Sequence, residues 1–500
     1  MKRILIIVII FGLQCDLLSQ GINSKGLFGY QSNAGGNFGN TWMDFQGTNH
    51  TFEYDSLETG VAATNTVICD SLGNLLFYTN GWEVADSTGY IMLNGANIST
   101  TTYQATIFPP GFGMDVPQAN MAIPYPSSNG KYYLFHSTRD GPQYKYTYKL
   151  DYSIIDMAGN NGLGEVISKN NAIIVDTLNF GKIIACKHGN GRDWWVTCLQ
   201  MNSNLIYKLL VTPYGINGPY SQSIGWVKAR GYGECKFSPD GTKFAWFDAD
   251  YTKPGHAEIM DFDRCSGTFS NPLHMEISQS NGFGGGVCFS PNSQLLYIAN
   301  VDSVYQYDLN AANIEQSKVF IAAWDSFYSP YPPFGTYFYM TLNAPDGKIY
   351  ISTGNSTKHL HVINNPDLLG IGCNLVQHAV ALPNYYSNSL PNHPNYFLGD
   401  NGLCNNLGIP PAPYEGVKKI QVFGNPTHDK FTLWFPVDKD VGVLEIYDVN
   451  GECIRRERVA QWSQYKTVDI SGLSEGVYFC RMSWPDGEGS VKVVRTTDGN

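Results

Sequence analysis

The stretch Phe237-Ser238-Pro239-Asp240-Gly241-Thr242-Lys243-Phe244-Ala245-Trp246-Phe247 decides the fold, because it returns along the chain. Its nearest copies are Phe289-Ser290-Pro291-Asn292-Ser293-Gln294-Leu295-Leu296-Tyr297-Ile298 and Ala344-Pro345-Asp346-Gly347-Lys348-Ile349-Tyr350-Ile351, so that Pro239, Pro291 and Pro345 follow one another at nearly even spacing. Looser copies lie upstream, where Gly73 precedes Leu75-Leu76-Phe77-Tyr78, Gly130 precedes Tyr132-Tyr133-Leu134-Phe135, and Gly191 precedes Trp194-Trp195-Val196. Pro-Asp-Gly is turn chemistry: proline pre-sets its own φ, the aspartate accepts from nearby backbone, and glycine takes a positive φ at little cost. The strand after each turn is apolar on consecutive residues, whereas a strand with one wet face alternates. Both of its faces are therefore expected to be buried. A repeat of this kind, whose strands cannot bury both faces alone, implies an array of stacked sheets.

Each unit holds further strands, such as Ala257-Glu258-Ile259-Met260-Asp261-Phe262 and Ser303-Val304-Tyr305-Gln306-Tyr307-Asp308-Leu309. That makes roughly four per unit, the number expected of a propeller blade. A β-propeller packs four-stranded blades face to face around an axis and fits this pattern. A β-helix has a much shorter period, and no repeat has the 3.6 spacing of an α-solenoid. Residues 21 to 66 contain strand-like pieces without the turn, and after six complete units Leu390-Pro391-Asn392-His393-Pro394-Asn395-Tyr396-Phe397-Leu398-Gly399 reads as one more strand without partners, with 394–398 as the closing piece. If that strand completes the N-terminal blade, the ring closes with seven blades, rather than six, and no exposed edge.

Composition agrees: 14% aromatic residues, 32 Tyr and only 15% charged residues describe a buried β protein. The net charge is −11 and there is no basic block, which argues against nucleic acid and anionic membrane surfaces as partners. Lys2-Arg3 followed by Ile4-Leu5-Ile6-Ile7-Val8-Ile9-Ile10-Phe11 reads as a signal peptide over residues 1–20, and no later segment is long enough to span a bilayer. Ten cysteines remain beyond Cys15, an even number that permits disulfides in an exported chain. Cys186 and Cys198 flank the Gly189-Asn190-Gly191 turn and could face each other; Cys373 and Cys404 flank the end of the repeats. No CxxC pair points to zinc.

From Tyr78-Thr79-Asn80-Gly81 through Asp261-Phe262-Asp263-Arg264-Cys265-Ser266-Gly267 to Leu390-Pro391-Asn392, the body over 21–407 resembles exported bacterial β-propeller proteins that use type IX secretion. Residues 408–417, with Ile409-Pro410-Pro411-Ala412-Pro413, form a Pro-rich linker. The tail over 418–500 resembles the type IX (Por) C-terminal sorting domain, type A, a small immunoglobulin-like β-sandwich. Asn425-Pro426, Ile446-Tyr447-Asp448-Val449-Asn450-Gly451, Asp469-Ile470-Ser471-Gly472-Leu473, Gly476-Val477-Tyr478 and Lys492-Val493-Val494 carry that likeness, with Gly424 departing from the usual first proline. The resemblance implies that residues 418–500 engage the type IX machinery, with transit through periplasm and outer membrane to the cell surface or medium.

The sequence has no HExxH, P-loop or GxGxxG motif. His359 and His361 would share one face of a strand as a metal pair, and Asp248 and Asp250 could join Asp261 or Asp263 around calcium. Exposed histidines and turn-capping aspartates are the plainer reading of both, so no cofactor is expected. The connection Phe327-Tyr328-Ser329-Pro330-Tyr331-Pro332-Pro333-Phe334-Gly335-Thr336-Tyr337 carries five aromatic rings on the face where blade-to-blade loops gather, where they could stack on sugar or grip peptide. Packing of that loop onto the blades is the competing account. Trp82 and Glu83, Arg139 and Asp140, and His256 fall in second-to-third-strand loops of the same face. These residues suggest a non-enzymatic module that binds glycan or protein. A propeller enzyme of the lyase, lactonase or glycosidase kind and a structural surface component are the alternatives.

Overall fold

A computed structural model of the chain describes residues 21–30, 36–46, 49–55, 57–99, 101, 112–126, 128–140, 146–228, 231–250, 253–278, 284–330, 334–354, 356–404, 418, 420–438, 440–485 and 487–496. The expected signal peptide (1–20), the linker (408–417) and Tyr331 lie outside the described residues. The chain divides into two compact units, one within 1–407 and the other within 408–500.

The repeated turn forms as its chemistry requires. Ser238 Oγ accepts the N–H of Lys243 at 2.9 Å, Asp240 Oδ1 accepts that of Thr242 at 2.9 Å, and Gly241 sits at φ +74°. The copy at 290–295 repeats the pattern: Ser290 Oγ accepts from Leu295 (2.9 Å), Asn292 Oδ1 from Gln294 (3.0 Å), and Ser293 holds φ +62° in the glycine position. Each turn joins the innermost two strands of a sheet.

Seven sheets build the first unit, a β-propeller. The first has three strands, Lys25–Phe28, Asn40–Gln46 and Asn49–Asp55. The third to seventh have four strands each, within residues 120–178, 184–228, 232–277, 286–323 and 338–386, and each runs in chain order from the inside out. Their inner strands touch one another in sequence around an axis. Packing between blades explains the unbroken apolar runs. Leu27 and Trp42 pack toward the second blade with Val67 and Tyr78, while Phe28 and Met43 pack toward the seventh with Tyr350 and Leu360. Likewise Leu296 and Ile298 meet the fifth blade, and Leu295 and Tyr297 meet the seventh. Successive side chains thus enter different inter-blade layers, each large apolar one contributing about 1.5–3 kcal/mol by burial.

Closure differs from the expectation. The segment 394–398 forms no strand and does not complete the N-terminal blade, which keeps three strands. Instead Leu390–Pro391 runs parallel to the second blade's inner strand Thr64–Cys69, pairing Leu390 with Thr64 and Pro391 with Asn65. This gives that blade, with Leu75–Thr79 and Val84–Asp86, its fourth strand. The ladder stops there because Pro391 and Pro394 lack N–H donors. Beyond it the chain becomes a strap across the ring. The side chain of Asn392 donates to the carbonyls of Asn120 and Ile183 (2.9 Å each) and accepts from Gln118 Nε2 (3.2 Å). Tyr396 donates its hydroxyl to Ala122 O (2.8 Å), Asn395 Nδ2 donates to Pro239 O (2.6 Å), and Arg264 donates to Gly399 O (2.7 Å).

The strap ends where Cys404 meets Cys265, with Cα atoms 5.2 Å apart and the sulfurs within bonding distance. Cys186 and Cys198 do not face each other: the register sets them opposite Trp195 and Tyr207, and both are buried thiols, as is Cys373.

The second unit is an immunoglobulin-like β-sandwich. One sheet holds Gln421–Phe423, Lys430–Trp434 and Tyr465–Asp469; the other holds Cys453–Val459, Gly442–Tyr447, Gly476–Trp484 and Gly487–Arg495. Here the strands alternate, with Phe431, Leu433, Leu444, Ile446, Cys480 and Met482 facing the core, because each sheet has one wet side. The Asp-Val-Asn-Gly motif is a turn in which Asp448 Oδ1 accepts the N–H groups of Asn450 and Glu452 at 2.9 Å each. Among the described residues no helix is long and apolar enough to cross a membrane.

Candidate functional site

Antiparallel strands send the two kinds of connection to opposite ends of the ring. First-to-second-strand turns such as 238–242 and 344–348 mark one end, called here the turn end. Second-to-third-strand loops and blade-to-blade connections mark the loop end, where the sequence places its candidate residues.

Among the described residues, the candidates of the loop end fall into three groups of contacts. Trp82 is 2% exposed and packs with Met114, Val116, Ala119 and Phe180 in an apolar cluster. Arg139 joins the same neighbourhood by pairing with Asp115 and lying 5.1 Å from the centre of the Phe180 ring. Both serve packing there. His256 belongs elsewhere: its Nδ1 lies 3.1 Å from His274 Nε2, and the Trp226 ring stacks on His274 at 3.9 Å. The aromatic loop is a third, separate group. Phe327 stacks on His378 at 4.2 Å, and Tyr337 and Tyr328 pack on Trp324 at 4.3 and 5.3 Å. Half of the loop's described rings remain available, because Tyr328 and Phe334 are 51% and 43% exposed.

The acidic and histidine pairs resolve into structural roles. Asp248 is buried against Lys182 at 2.5 Å, and burial raises its carboxyl while Lys182 opposes the shift. The register sets Asp248 opposite His256 and Asp261 opposite Lys243, so the two aspartates stand at different points along the hairpin. Asp263 accepts the N–H of Cys265 (2.9 Å), and the side chain of Asp250 is outside the described residues. His361 is fully buried, takes the N–H of His378 on Nδ1 (3.0 Å), and is lowered to about 3 by burial. His359 meets the Phe327 ring edge-on at 5.2 Å. Among the described residues no group of three or more His, Cys, Asp or Glu could hold a metal ion.

The turn end holds what the sequence did not signal. A cavity of about 250 Å³ lies between the strap and the turns of the fifth to seventh blades. Its apolar wall comes from Phe237, Pro239, Pro291 and Leu342, with Pro394 and Phe397 of the strap opposite. Its polar wall comes from Lys236, Lys348, His393 and the amides Asn23, Asn343 and Asn395. Lys236 stands on the inner strand Tyr232–Phe237, beyond the fully buried Glu234, whose Oε1 is 3.7 Å from the ammonium. Burial raises the Glu234 carboxyl; Lys236 and hydrogen bonds from Thr341 N–H (2.8 Å) and Oγ1–H (2.7 Å) oppose that shift. Lys348 lies 3.9 Å from Asp346, whose Oδ2 is already engaged by the Tyr350 hydroxyl at 2.7 Å. Burial lowers the His393 ring to about 3, and Lys236 adds a smaller push in the same direction, so the ring is neutral with one N–H donor and one acceptor. The turn tripeptides and the strap motif were both visible in the sequence. Their convergence depends on the whole of the fold between Pro239 and Pro394, about three repeats, and no local pattern encodes it.

Comparison with known proteins assigns the tail. Residues 421–495 match the family described as the secretion system C-terminal sorting domain. The chain thus carries a type IX sorting domain, which implies contact with that machinery and export to the cell surface or medium. No curated protein matches the chain. Among solved structures, a putative 6-phosphogluconolactonase from Bacteroides fragilis is similar at 12% identity and TM-score 0.45, covering 74% of this chain and 98% of that one. A functionally unknown protein from Desulfotomaculum acetoxidans is similar at 12% identity and TM-score 0.42, covering 74% and 99%. The periplasmic gluconolactonase of Pseudomonas aeruginosa is similar at 13% identity and TM-score 0.33, covering 73% and 97%.

Proposed function

We propose that this exported propeller binds a glycan or a protein segment without transforming it, and that the cavity at the turn end is the principal site. The observation that carries the reading is the make-up of the cavity wall. Two lysines, one histidine and three asparagines line it among apolar rings, with no carboxylate, hydroxyl or thiol among the lining side chains of the described residues. Such a wall supplies hydrogen bonds and a stacking surface. It offers neither the carboxylate pair of glycoside hydrolysis nor an activated nucleophile. Probing glycan and peptide arrays with the mature chain tests this. Specific binding that Phe397→Ala abolishes, with unfolding unchanged and the ligand recovered intact, is the expected result. Cleavage or rearrangement of the bound compound, followed by mass spectrometry, would instead establish the enzymatic alternative.

Tyr328 and Phe334 are proposed as a second contact surface, supported by their exposure on a loop whose other described rings are packed. Replacing both by Ala should weaken binding by about 1–3 kcal/mol without loss of stability. A disulfide between Cys265 and Cys404 is proposed as the clasp of the strap, in keeping with an oxidising exterior. Both residues should resist alkylation until the unfolded chain is reduced.

A further inference from the structure

Two residues that line the turn-end cavity carry buried polar atoms without a hydrogen-bond partner among the described residues: Asn23 Oδ1 and both ring nitrogens of His393. A buried polar group left without a partner destabilises the fold. Asn23 and His393 both line the cavity beside Lys236, so an occupant toward which these side chains turn would supply the missing hydrogen bonds. The occupant's charge follows from the surroundings. Lys236 has 10% of its side chain exposed and a single carboxylate at the long distance of 3.7 Å, and Lys348 likewise has its carboxylate at 3.9 Å. Both ammonium groups thus retain donors for a further anion. Its size and body follow from the rest of the wall. A space of about 250 Å³ holds one six-membered ring with substituents, and Phe237 and Phe397 provide apolar faces while the asparagine amides suit hydroxyls.

We infer that the turn-end cavity binds a sugar bearing an anionic group, with Lys236 and Lys348 taking the anion and His393 and Asn23 taking ring hydroxyls. This rests on the proposed binding function and names its ligand class. A carboxylate and a phosphate would be recognised by the same contacts, so the probes separate them.

The test is calorimetric titration of the mature full-length chain with glucuronate, glucose 6-phosphate and glucose, together with ¹⁵N imidazole spectra of His393. Either anionic sugar should bind about ten- to a hundredfold more tightly than glucose, the range that a charge-assisted hydrogen bond contributes. Binding should move the His393 signals, a readout that requires no substitution. Lys348→Gln, at a part-exposed position, should remove much of the preference and leave thermal unfolding unchanged. Lys236→Gln should remove more of it; because that change leaves Glu234 buried without its cation, the wild-type His393 spectrum decides the matter if this variant fails to fold. Equal affinity for glucose and the anionic sugars would overturn the inference while leaving a glycan-binding propeller. A peptide with a free C-terminal carboxylate that moves His393 when no sugar does would also overturn it. No perturbation of His393 by any probe, with array ligands bound elsewhere or not at all, would remove the cavity from both readings.

Discussion

Gly241 is where backbone conformation and crowding meet in one residue. It holds φ +74° at the repeat's turn, and a Cβ there would stand 2.8 Å from Arg264 Cδ and 3.0 Å from Cys186 Sγ and Leu398 Cδ1. Gly347, its counterpart in the seventh blade, holds φ +78° with nothing within 4 Å. Gly347→Ala should therefore cost only the left-handed backbone, about 1–2 kcal/mol, and Gly241→Ala about 1 kcal/mol more. Equal losses in urea unfolding would mean that the strap yields to the added methyl. Buried histidines set the response to acid. His136 and His361 are both fully buried and lowered to about 3, chiefly by burial. An unfolded chain's histidines titrate near about 6.5. Between those values the unfolded chain takes up protons that the folded chain refuses. Stability should fall as pH drops from about 6.5 toward 3, by up to about 1.4 kcal/mol per pH unit for each ring. Glu234 and Asp248, whose carboxyls burial raises, work in the opposite sense above the ordinary carboxylate range, where the folded chain takes the proton first. Between about pH 6.5 and 5 the urea midpoint of His361→Gln should therefore decline less than that of the wild type. Equal declines in the two would show that the His361 ring is protonated in the fold.

The strap is the element whose role depends on side chains replacing a ladder. Asn392 is 2% exposed; its side-chain amide bonds Gln118, Asn120 and Ile183, and its backbone N–H donates to Asn65 O of the second blade, at the point where the prolines end strand pairing. Asn392→Ala should cost about 2–4 kcal/mol, since it leaves buried carbonyls and an amide short of partners. Asn395→Ala, which loses the contact with Pro239 O at the rim, should cost about 1 kcal/mol. Similar losses at both positions, read from thermal unfolding, would contradict this account of the strap. The same element marks the limit of what the sequence conveys. The turns of 238–242 and 290–294 and the doubly buried strands after them were legible, because each follows from short-range chemistry repeated at a fixed period. That 390–391 pairs in parallel with 64–65 was not legible, because a pair this short, followed closely by a second proline, carries no periodicity. The cavity was hidden for a related reason: Lys236 and His393 lie several blades apart in the chain, and only the closed ring brings them together. Trp82 and Phe327 misled as candidates because a large aromatic ring in a loop can as readily be its packing anchor.

At the scale of the whole molecule, the proposed binding and the delivery reside in separate parts of the chain. The sorting sandwich has its own core, built from Phe431, Leu444, Ile446, Met482 and Trp484, and the propeller's clusters contain none of its residues. Each unit therefore buries its apolar surface without the other, as independently folding domains do. Deleting residues 418–500 should leave a propeller with an unchanged unfolding midpoint and, in the proposed reading, unchanged affinity for its ligand. The effect should fall on location. Without the residues that match the sorting family, the truncated chain should accumulate in the periplasm of a type IX-competent cell, while the full chain reaches the surface or the medium. Appending the same segment to an unrelated periplasmic protein should carry it outward. Cell fractionation distinguishes the outcomes. Normal external levels of the truncated chain would show that the propeller holds its own export signal. A truncated chain that is retained and also degraded would show that the sandwich contributes to the propeller's stability, against the separation of the two cores.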